Sequence, residues 1–283
     1  MKKYIIVAES GADLSREMIE NNDIRVPKMH VEIDGKDYLD GDVSMEELTS
    51  FYDKTGKVPK TAGVNPDQFE AIFKQIKEED PNSTILHICY SAQLSIGFQS
   101  SVFADDGSIE ICRVDAKNVS IGHAFVVMQV AEYIKENPEA QPEELQKKVE
   151  EIASKTRFAF LPGNLDYLRA GGRVSNAQYL GASLLRLKPL IEVIDGLMIS
   201  TKKYSGAKKK IIRKMLNDYF TRYNIDKEKV FLVYAVSIDT DVRAEVEEAV
   251  REAGVKEFVW LKTGSVITSH CGPGGVGIAG IEK

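Results

Sequence analysis

The sequence predicts an α/β protein of two domains. Three observations lead there: a chain too long for one ordinary core, a first half in which short apolar runs alternate with longer amphipathic ones, and a change of pattern after a polar, proline-containing stretch at residues 137–142. At 283 residues the chain suits two cores of about 140 residues each, because the gain in buried surface flattens with size. Its 43% hydrophobic and 28% charged composition allows each to bury a core and stay in solution.

In the first half, apolar runs at 4–8, 84–90 and 110–114 read as strands. Amphipathic runs at 44–54, 66–79, 97–104 and 120–137 read as helices. This is the rhythm of a mostly parallel sheet with helices on both faces. Ser44 stands three residues before Glu47, the spacing of a capping box, and Asn65-Pro66 supplies a cap and a first-turn proline. A charged helix ends near Lys155, so the domains are drawn as 1–155 and 156–283.

The second half reads as a strand at 157–161, helices at 165–170 and 178–187, and strands at 190–194 and 197–201. The last two are split by Asp195-Gly196, a hairpin signal that makes this sheet mixed or antiparallel. A basic helix at 208–223, a strand at 230–236, a helix at 242–253, a strand at 258–261 and a glycine-rich end complete the order.

Several function classes are disfavoured. Thirty-seven basic against forty-three acidic residues leave a net charge of −6, the wrong sign for a protein that neutralises nucleic-acid phosphates. The apolar run after Lys2-Lys3 is too short for an export signal, and none approaches the roughly 18 residues of a membrane span. A soluble, cytoplasmic protein is expected. Cys89, Cys112 and Cys271 lie far apart, without zinc spacing or a disulfide framework. His30, His87 and His123 are expected to be hydrogen-bonded structural residues, and no metal or cofactor is expected.

The tail Gly272-Pro273-Gly274-Gly275-Val276-Gly277 matches the dinucleotide fingerprint in letters. That fingerprint works only where a helix follows to hold the pyrophosphate, and here a turn into a final strand is expected instead. No nucleophile-elbow or metalloprotease motif occurs in the chain.

Three segments read as loops suited to an anion. Residues 60–66, with Thr61, feed a helix start. Residues 90–97, with Ser95, join a strand to a helix, the place where open α/β sheets bind ligands. Residues 268–274, with His270, are glycine-rich, which lets backbone approach a ligand closely. An N-cap, a helix cap and a turn residue are the ordinary accounts of the three.

In their order these segments resemble the DegV family of bacterial fatty-acid-binding proteins. The family's D-S-x-x-D-L appears as Glu9-Ser10-Gly11-Ala12-Asp13-Leu14, its T-S-Q-P-S as Thr61-Ala62-Gly63-Val64-Asn65, and its L-S-G-T-Y-x-S as Leu94-Ser95-Ile96-Gly97-Phe98-Gln99-Ser100. L-E-Y-L-x-x-G-G-R-I-S appears as Leu165-Asp166-Tyr167-Leu168-Arg169-Ala170-Gly171-Gly172-Arg173-Val174-Ser175, K-P-I as Lys188-Pro189-Leu190, and H-x-G-P-G-x-x-G as residues 270–277.

The resemblance implies a lipid-binding, non-enzymatic protein. A fatty acid would lie between the domains, with its carboxylate on Thr61, Ser95 and the His270 network. Its tail would lie in the second domain, walled in part by the helix at 179–185. Candidate neighbours of the site are Ser10, Gly63, Ser91, Gly97, Arg173, Cys271 and Gly272. The resemblance also implies presentation to a partner such as a fatty-acid kinase. The family's R-x-R-K-K segment, which helps that docking, is here Ser205-Gly206-Ala207-Lys208-Lys209, and the missing arginines weaken the expectation. Glu9 also replaces an aspartate, and Ala62-Gly63-Val64 replace a polar, proline-containing stretch.

The basic run Lys208, Lys209, Lys210, Arg213 and Lys214 has a solvated face as its ordinary account. Its functional alternative is a transient landing patch for an acidic partner or an anionic lipid surface, worth about 1 kcal/mol per charge. The rival function is a lipid esterase or acyltransferase with Ser95 as nucleophile and His270 as base, although Ser95 lacks the glycine-flanked elbow of such enzymes.

Overall fold

The computed structural model describes residues 4–105, 107–174 and 187–283. The first half runs β1 (Tyr4–Val7), α1 (Arg16–Asn21), β2 (His30–Ile33), β3 (Lys36–Leu39), α2 (Met45–Thr55), β4 (Lys60–Ala62), α3 (Pro66–Glu79), β5 (Thr84–Cys89), α4 (Gly97–Phe103), β6 (Ile111–Asp115), α5 (Ser120–Glu136) and α6 (Pro142–Lys155). The second runs β7 (Thr156–Leu161), α7 (Leu165–Gly171), β8 (Leu187–Ile194), β9 (Leu197–Ser205), α8 (Lys208–Arg222), β10 (Lys229–Tyr234), α9 (Thr240–Glu252), β11 (Glu257–Lys262), α10 (Ser265–Cys271) and β12 (Val276–Ile281). The expected helix at 178–187, its tail-binding portion at 179–185 and Ser175 lie outside the described residues, apart from Leu187, which begins β8.

The α/β class expected from the sequence is the one observed. β1, β5 and β6 form a parallel sheet in the order β1-β5-β6. Every residue of its central strand β5 is buried, as expected for a strand covered on both faces. The second half forms a six-stranded mixed sheet in the order β11-β10-β12-β7-β8-β9. Asp195-Gly196 closes the β8–β9 hairpin with both residues at positive φ, 48° and 83°, the conformation that this dipeptide accommodates at low cost.

A second small sheet, β3-β2-β4 and antiparallel throughout, was not expected. It makes residues 60–62 a strand, not a loop. Two helix starts also differ from expectation. Ser44 accepts the Glu47 N–H at 3.0 Å, but the Glu47 carboxylate takes the Tyr38 hydroxyl instead of closing the box. The complete box belongs to Asn65 and Gln68 at the start of α3.

Alternation in the six-stranded sheet separates two layers. Ala159, Leu161, Val230 and Leu232 face α8 and α9, packing on Ile212, Met215, Leu216 and Val246. Phe158, Phe160, Phe231 and Val233 face the first half. α5, buried along most of its length, touches β1 on one side and β7, β10 and β12 on the other. One apolar core therefore runs across the junction at 155/156. No helix among the described residues is long and apolar enough to cross a membrane.

Candidate ligand-binding site

Between the inner face of the six-stranded sheet and the first half lies a cavity of about 480 Å³. That is within the roughly 300–1,000 Å³ typical of small-molecule sites. Phe158, Phe160, Met198, Val233 and Ile267 line it from the second half, and Met29, Leu94 and Val119 from the first. Thr61, Ser95 and His270 all line it, with Tyr90, Ser120, Thr263 and Arg173. Arg173 is the one cationic side chain lining it among the described residues.

Thr61 is held on β4 by pairing opposite Val31 of β2, and its Oγ1 lies 2.8 Å from His270 Nε2. His270 was expected on a loop and is found in the last turn of α10. That helix has no side-chain cap of its own. Its first N–H groups are received by two buried aspartate side chains from the first half: Asp13 accepts the Gly264 N–H at 2.7 Å, and Asp40 accepts the Ser265 N–H at 2.9 Å. Acceptors supplied from so far away leave no local helix signal.

The other ring nitrogen of His270, Nδ1, has no hydrogen-bond partner among the described residues. Gly171 lies against it, so close that a Cβ there would sit 2.3 Å from Nδ1. Burial, with the nearby Arg173 charge, pushes the His270 pKa down to about 4, so the ring is neutral at pH 7. The Arg173 guanidinium donates through Nη1 to the Gly171 carbonyl at 2.8 Å. A neutral imidazole, two hydroxyls and a guanidinium offer donors in a largely apolar chamber, a set suited to a carboxylate.

Ser95 Oγ accepts the Gly97 N–H at 3.2 Å, although Ile96 holds the cap position of α4. A Cβ at Gly63 would lie 2.6 Å from that oxygen, so the glycine lets the Thr61 segment close on Ser95. Glu9 is buried beneath the same loop. Its Oε2 accepts the Tyr90 N–H at 2.9 Å, its Oε1 is 3.5 Å from His87 Nε2, and a Cβ at Gly97 would come within 2.5 Å of Oε1. Burial works to raise the Glu9 pKa, but His87, His123 and the Tyr90 N–H together outweigh it and hold the carboxyl below its ordinary value.

Of the candidate neighbours, Gly63, Arg173 and Cys271 line the cavity, whereas Ser10, Ser91, Gly97 and Gly272 do not. Ser10 donates to Asp40 at 2.7 Å, and Ser91 donates to the Gly196 carbonyl at 2.6 Å, tying the first half to the β8–β9 turn. Gly272 has φ 72° and a Cβ there would meet Asn164. Burial pushes the Cys271 thiol up to about 12, so it stays protonated and unreactive. Tyr90 was missed because it reads as the end of a strand; its hydroxyl is held protonated by burial.

The three other histidines take hydrogen bonds within the fold: His30 with Asp37 and Gln68, His87 with Ser101, and His123 with the Ile88 carbonyl. Among the described residues no group of His, Cys, Asp and Glu could hold a metal ion. The glycine fingerprint at 272–277 runs into strand β12, not a helix.

The basic face of α8 is largely paired with α9. Lys208 meets Asp239 at 3.4 Å, Lys209 meets Asp241 at 3.0 Å, and Arg213 contacts Glu245, Glu248 and Glu252. Lys214 lies 6.0 Å from the Tyr204 ring centre, and Lys210 is exposed. The run of positive charge seen in sequence is therefore not a run of unpaired cations, because an acidic helix lies alongside it.

The family model described as "Uncharacterised protein, DegV family" matches residues 3–283. A DegV domain-containing protein of Caldanaerobacter subterraneus subsp. tengcongensis is 29% identical, the alignment covering 100% of both chains. Among solved structures, a hypothetical protein from Thermotoga maritima, described as revealing fatty acid binding function, is 27% identical with TM-score 0.82, over 99% of this chain and 100% of its own. A DegV family protein from Thermus thermophilus, described by its fatty acid binding, shares the fold with TM-score 0.88 at 24% identity, over 99% of this chain and 100% of its own.

Proposed function

The chain belongs to the DegV family, and from that membership and the cavity's chemistry we propose that it binds one long-chain fatty acid without covalent change. The observation that carries this reading is the set of polar side chains Thr61, Ser95, His270 and Arg173 on a largely apolar cavity of about 480 Å³. The carboxylate accepts from the Thr61 and Ser95 hydroxyls, with His270 ordering Thr61 and Arg173 supplying the opposing charge. The tail lies along Phe158, Phe160, Met198 and Val233. Residues 1–155 and 156–283 act as the two domains that close on it.

The size of the driving force fits. A sixteen-carbon tail leaving water gains about 0.8 kcal/mol per methylene, roughly 11 kcal/mol before ordering costs. Binding at micromolar or tighter affinity survives the loss of several kcal/mol.

Hydrolysis by Ser95 and His270 fits poorly. His270 Nε2 is engaged by Thr61, its Nδ1 has no orienting carboxylate among the described residues, and a ring with a pKa of about 4 is a weak base. A carrier that presents its ligand to a lipid-metabolising partner in the cytoplasm fits better. Where the family's kinase-docking arginines stand, this chain has Ser205 and Ala207, so a fatty-acid kinase would have to be met through other contacts. At an anionic membrane surface, Lys210 and Lys214 are the cations that the α9 ion pairs leave over.

The test is solvent extraction and native mass spectrometry of protein purified without added lipid, with an unrelated protein from the same cells as control. One fatty acid per chain is expected. No stoichiometric fatty acid, together with no thermal stabilisation by palmitate or oleate, would remove the reading.

A further inference from the structure

The small sheet β3-β2-β4 grips helix α10 at both ends. At one end Asp40, the residue after β3, is buried against the first turn: its Oδ1 accepts the Ser265 N–H at 2.9 Å, the Ser265 hydroxyl at 2.6 Å and the Val266 N–H at 3.2 Å. At the other end His270 meets Thr61 of β4. Asp40 is itself held through Oδ2 by the Ser10 hydroxyl at 2.7 Å, and Ser10 also accepts the Met29 N–H at 3.1 Å. A Cβ at Gly264 would lie 2.9 Å from Asp40 Oδ1, so the glycine ahead of the helix is what admits the carboxylate.

A helix of seven residues is a stiff rod about 10 Å long. Moving its start moves its end. A carboxylate accepting three donors at a helix start is strongly placed, since it satisfies orphan N–H groups and opposes the positive end of the helix dipole. Asp40 does not line the cavity, so any effect on the ligand is indirect: through α10, or through Met29, which lines the cavity and whose carbonyl accepts the Asp40 N–H at 2.8 Å.

We propose that Asp40 is a positioning residue for the ligand head group: its grip on the first turn of α10 sets the height at which His270 meets Thr61 on the cavity wall. The proposal rests on the fatty-acid reading above for its binding consequence. Its geometric content, the seating of His270 by Asp40, stands apart from that reading.

The experiment is a double-mutant cycle with fatty-acid affinity as one readout and the ¹⁵N and ¹H resonances of the His270 ring, measured without ligand, as the other. Asp40→Asn removes the charge and keeps an acceptor. It is expected to weaken palmitate binding about tenfold, the effect of one charge-assisted hydrogen bond, and to shift the His270 resonances. In a His270→Ala background the same change should cost no further affinity. A protein that is only loosened would lose affinity to the same factor in both backgrounds, and that result overturns the proposal. So does unchanged affinity in Asp40→Asn when wild type binds.

Should Asp40→Asn fail to fold, Ser265→Ala removes one of the three donors and keeps the charge. It is expected to show the same two signatures at smaller size, and neither signature in that variant overturns the proposal. If wild type itself binds no fatty acid, the functional reading falls. The ring resonances then decide the positioning alone, with a shift in Asp40→Asn supporting it and an unchanged His270 signal overturning it.

Discussion

Thr61→Val isolates the hydrogen bond on which the proposed head-group site is built. Valine keeps the branched shape and the strand preference of β4 while deleting only the hydroxyl. In the native protein that hydroxyl is 2.8 Å from His270 Nε2, and Nδ1 has no partner among the described residues. The variant therefore leaves the imidazole without a hydrogen bond to any described residue. A polar group stranded in a largely buried place costs about 1–3 kcal/mol, and each kcal/mol lowers the melting temperature of a chain this size by about 2–4 °C.

Ligand-free protein should thus melt several degrees lower, and denaturant unfolding should show a lower midpoint at unchanged slope. The fatty-acid carboxylate loses a donor as well, so affinity should fall at least about tenfold, or 1.4 kcal/mol. Calorimetry of delipidated protein and titration with palmitate read the two effects separately. A melting temperature within about 1 °C of wild type would mean that the Thr61–His270 contact is not formed in solution. Equal affinity would mean that the carboxylate sits elsewhere.

Three further outcomes are expected. Ser95→Ala should weaken binding by about tenfold while the far-ultraviolet spectrum stays native, the loss of one hydrogen bond to a charged acceptor being about 1.5–3 kcal/mol; unaltered affinity would exclude Ser95 from the head-group site. Because the His270 pKa is about 4 in the folded chain and about 6.5 unfolded, the unfolded state binds its proton first, and this group's contribution to stability falls as pH drops from about 6.5 to 4. Asp13, raised to about 8, works in the opposite sense, weakening the fold as pH rises from about 4 to 8, so the His270 effect is read as the difference in pH dependence between wild type and His270→Asn; identical profiles would contradict the depressed pKa. Lys210→Glu with Lys214→Glu should slow fatty-acid exchange with anionic vesicles at low salt more than Lys208→Glu with Lys209→Glu, whose partners on α9 already neutralise them; equal rates for both variants and wild type would dismiss the landing patch.

What was legible in the sequence is what local chemistry encodes. Asn65-Pro66 marked the start of α3, Asp195-Gly196 marked the β8–β9 turn, and the largely apolar run of β5 marked a buried parallel strand. Asp34-Gly35 carries the same turn signal, with φ 52° and 80°. The signal is weak because β3 is mostly exposed and polar, so apolar alternation flanks the turn on the β2 side only. Helix α10 was invisible for a different reason. The acceptors that start it, Asp13 and Asp40, stand 251 and 225 residues from the N–H groups they receive, and no window along the chain contains both partners.

The same distinction divides the residues picked out as a site. Thr61, Ser95, His270, Gly63 and Arg173 face the cavity, whereas Ser10 and Ser91 hold other parts of the wall by hydrogen bonds. All of them except Ser91 sit in the motifs that carry the family resemblance, so a motif alone does not tell a residue that faces the cavity from one that holds such a residue in place. Glu9 makes the point most sharply. One methylene longer than the aspartate that the family pattern calls for, it does not line the cavity, yet its carboxylate accepts the Tyr90 N–H and occupies the space that a Cβ at Gly97 would need. It thereby acts on both ends of the loop that carries Ser95. The longer side chain changes the support of the proposed head-group loop, not its donors, so a head-group preference peculiar to this protein would be set from behind the cavity wall.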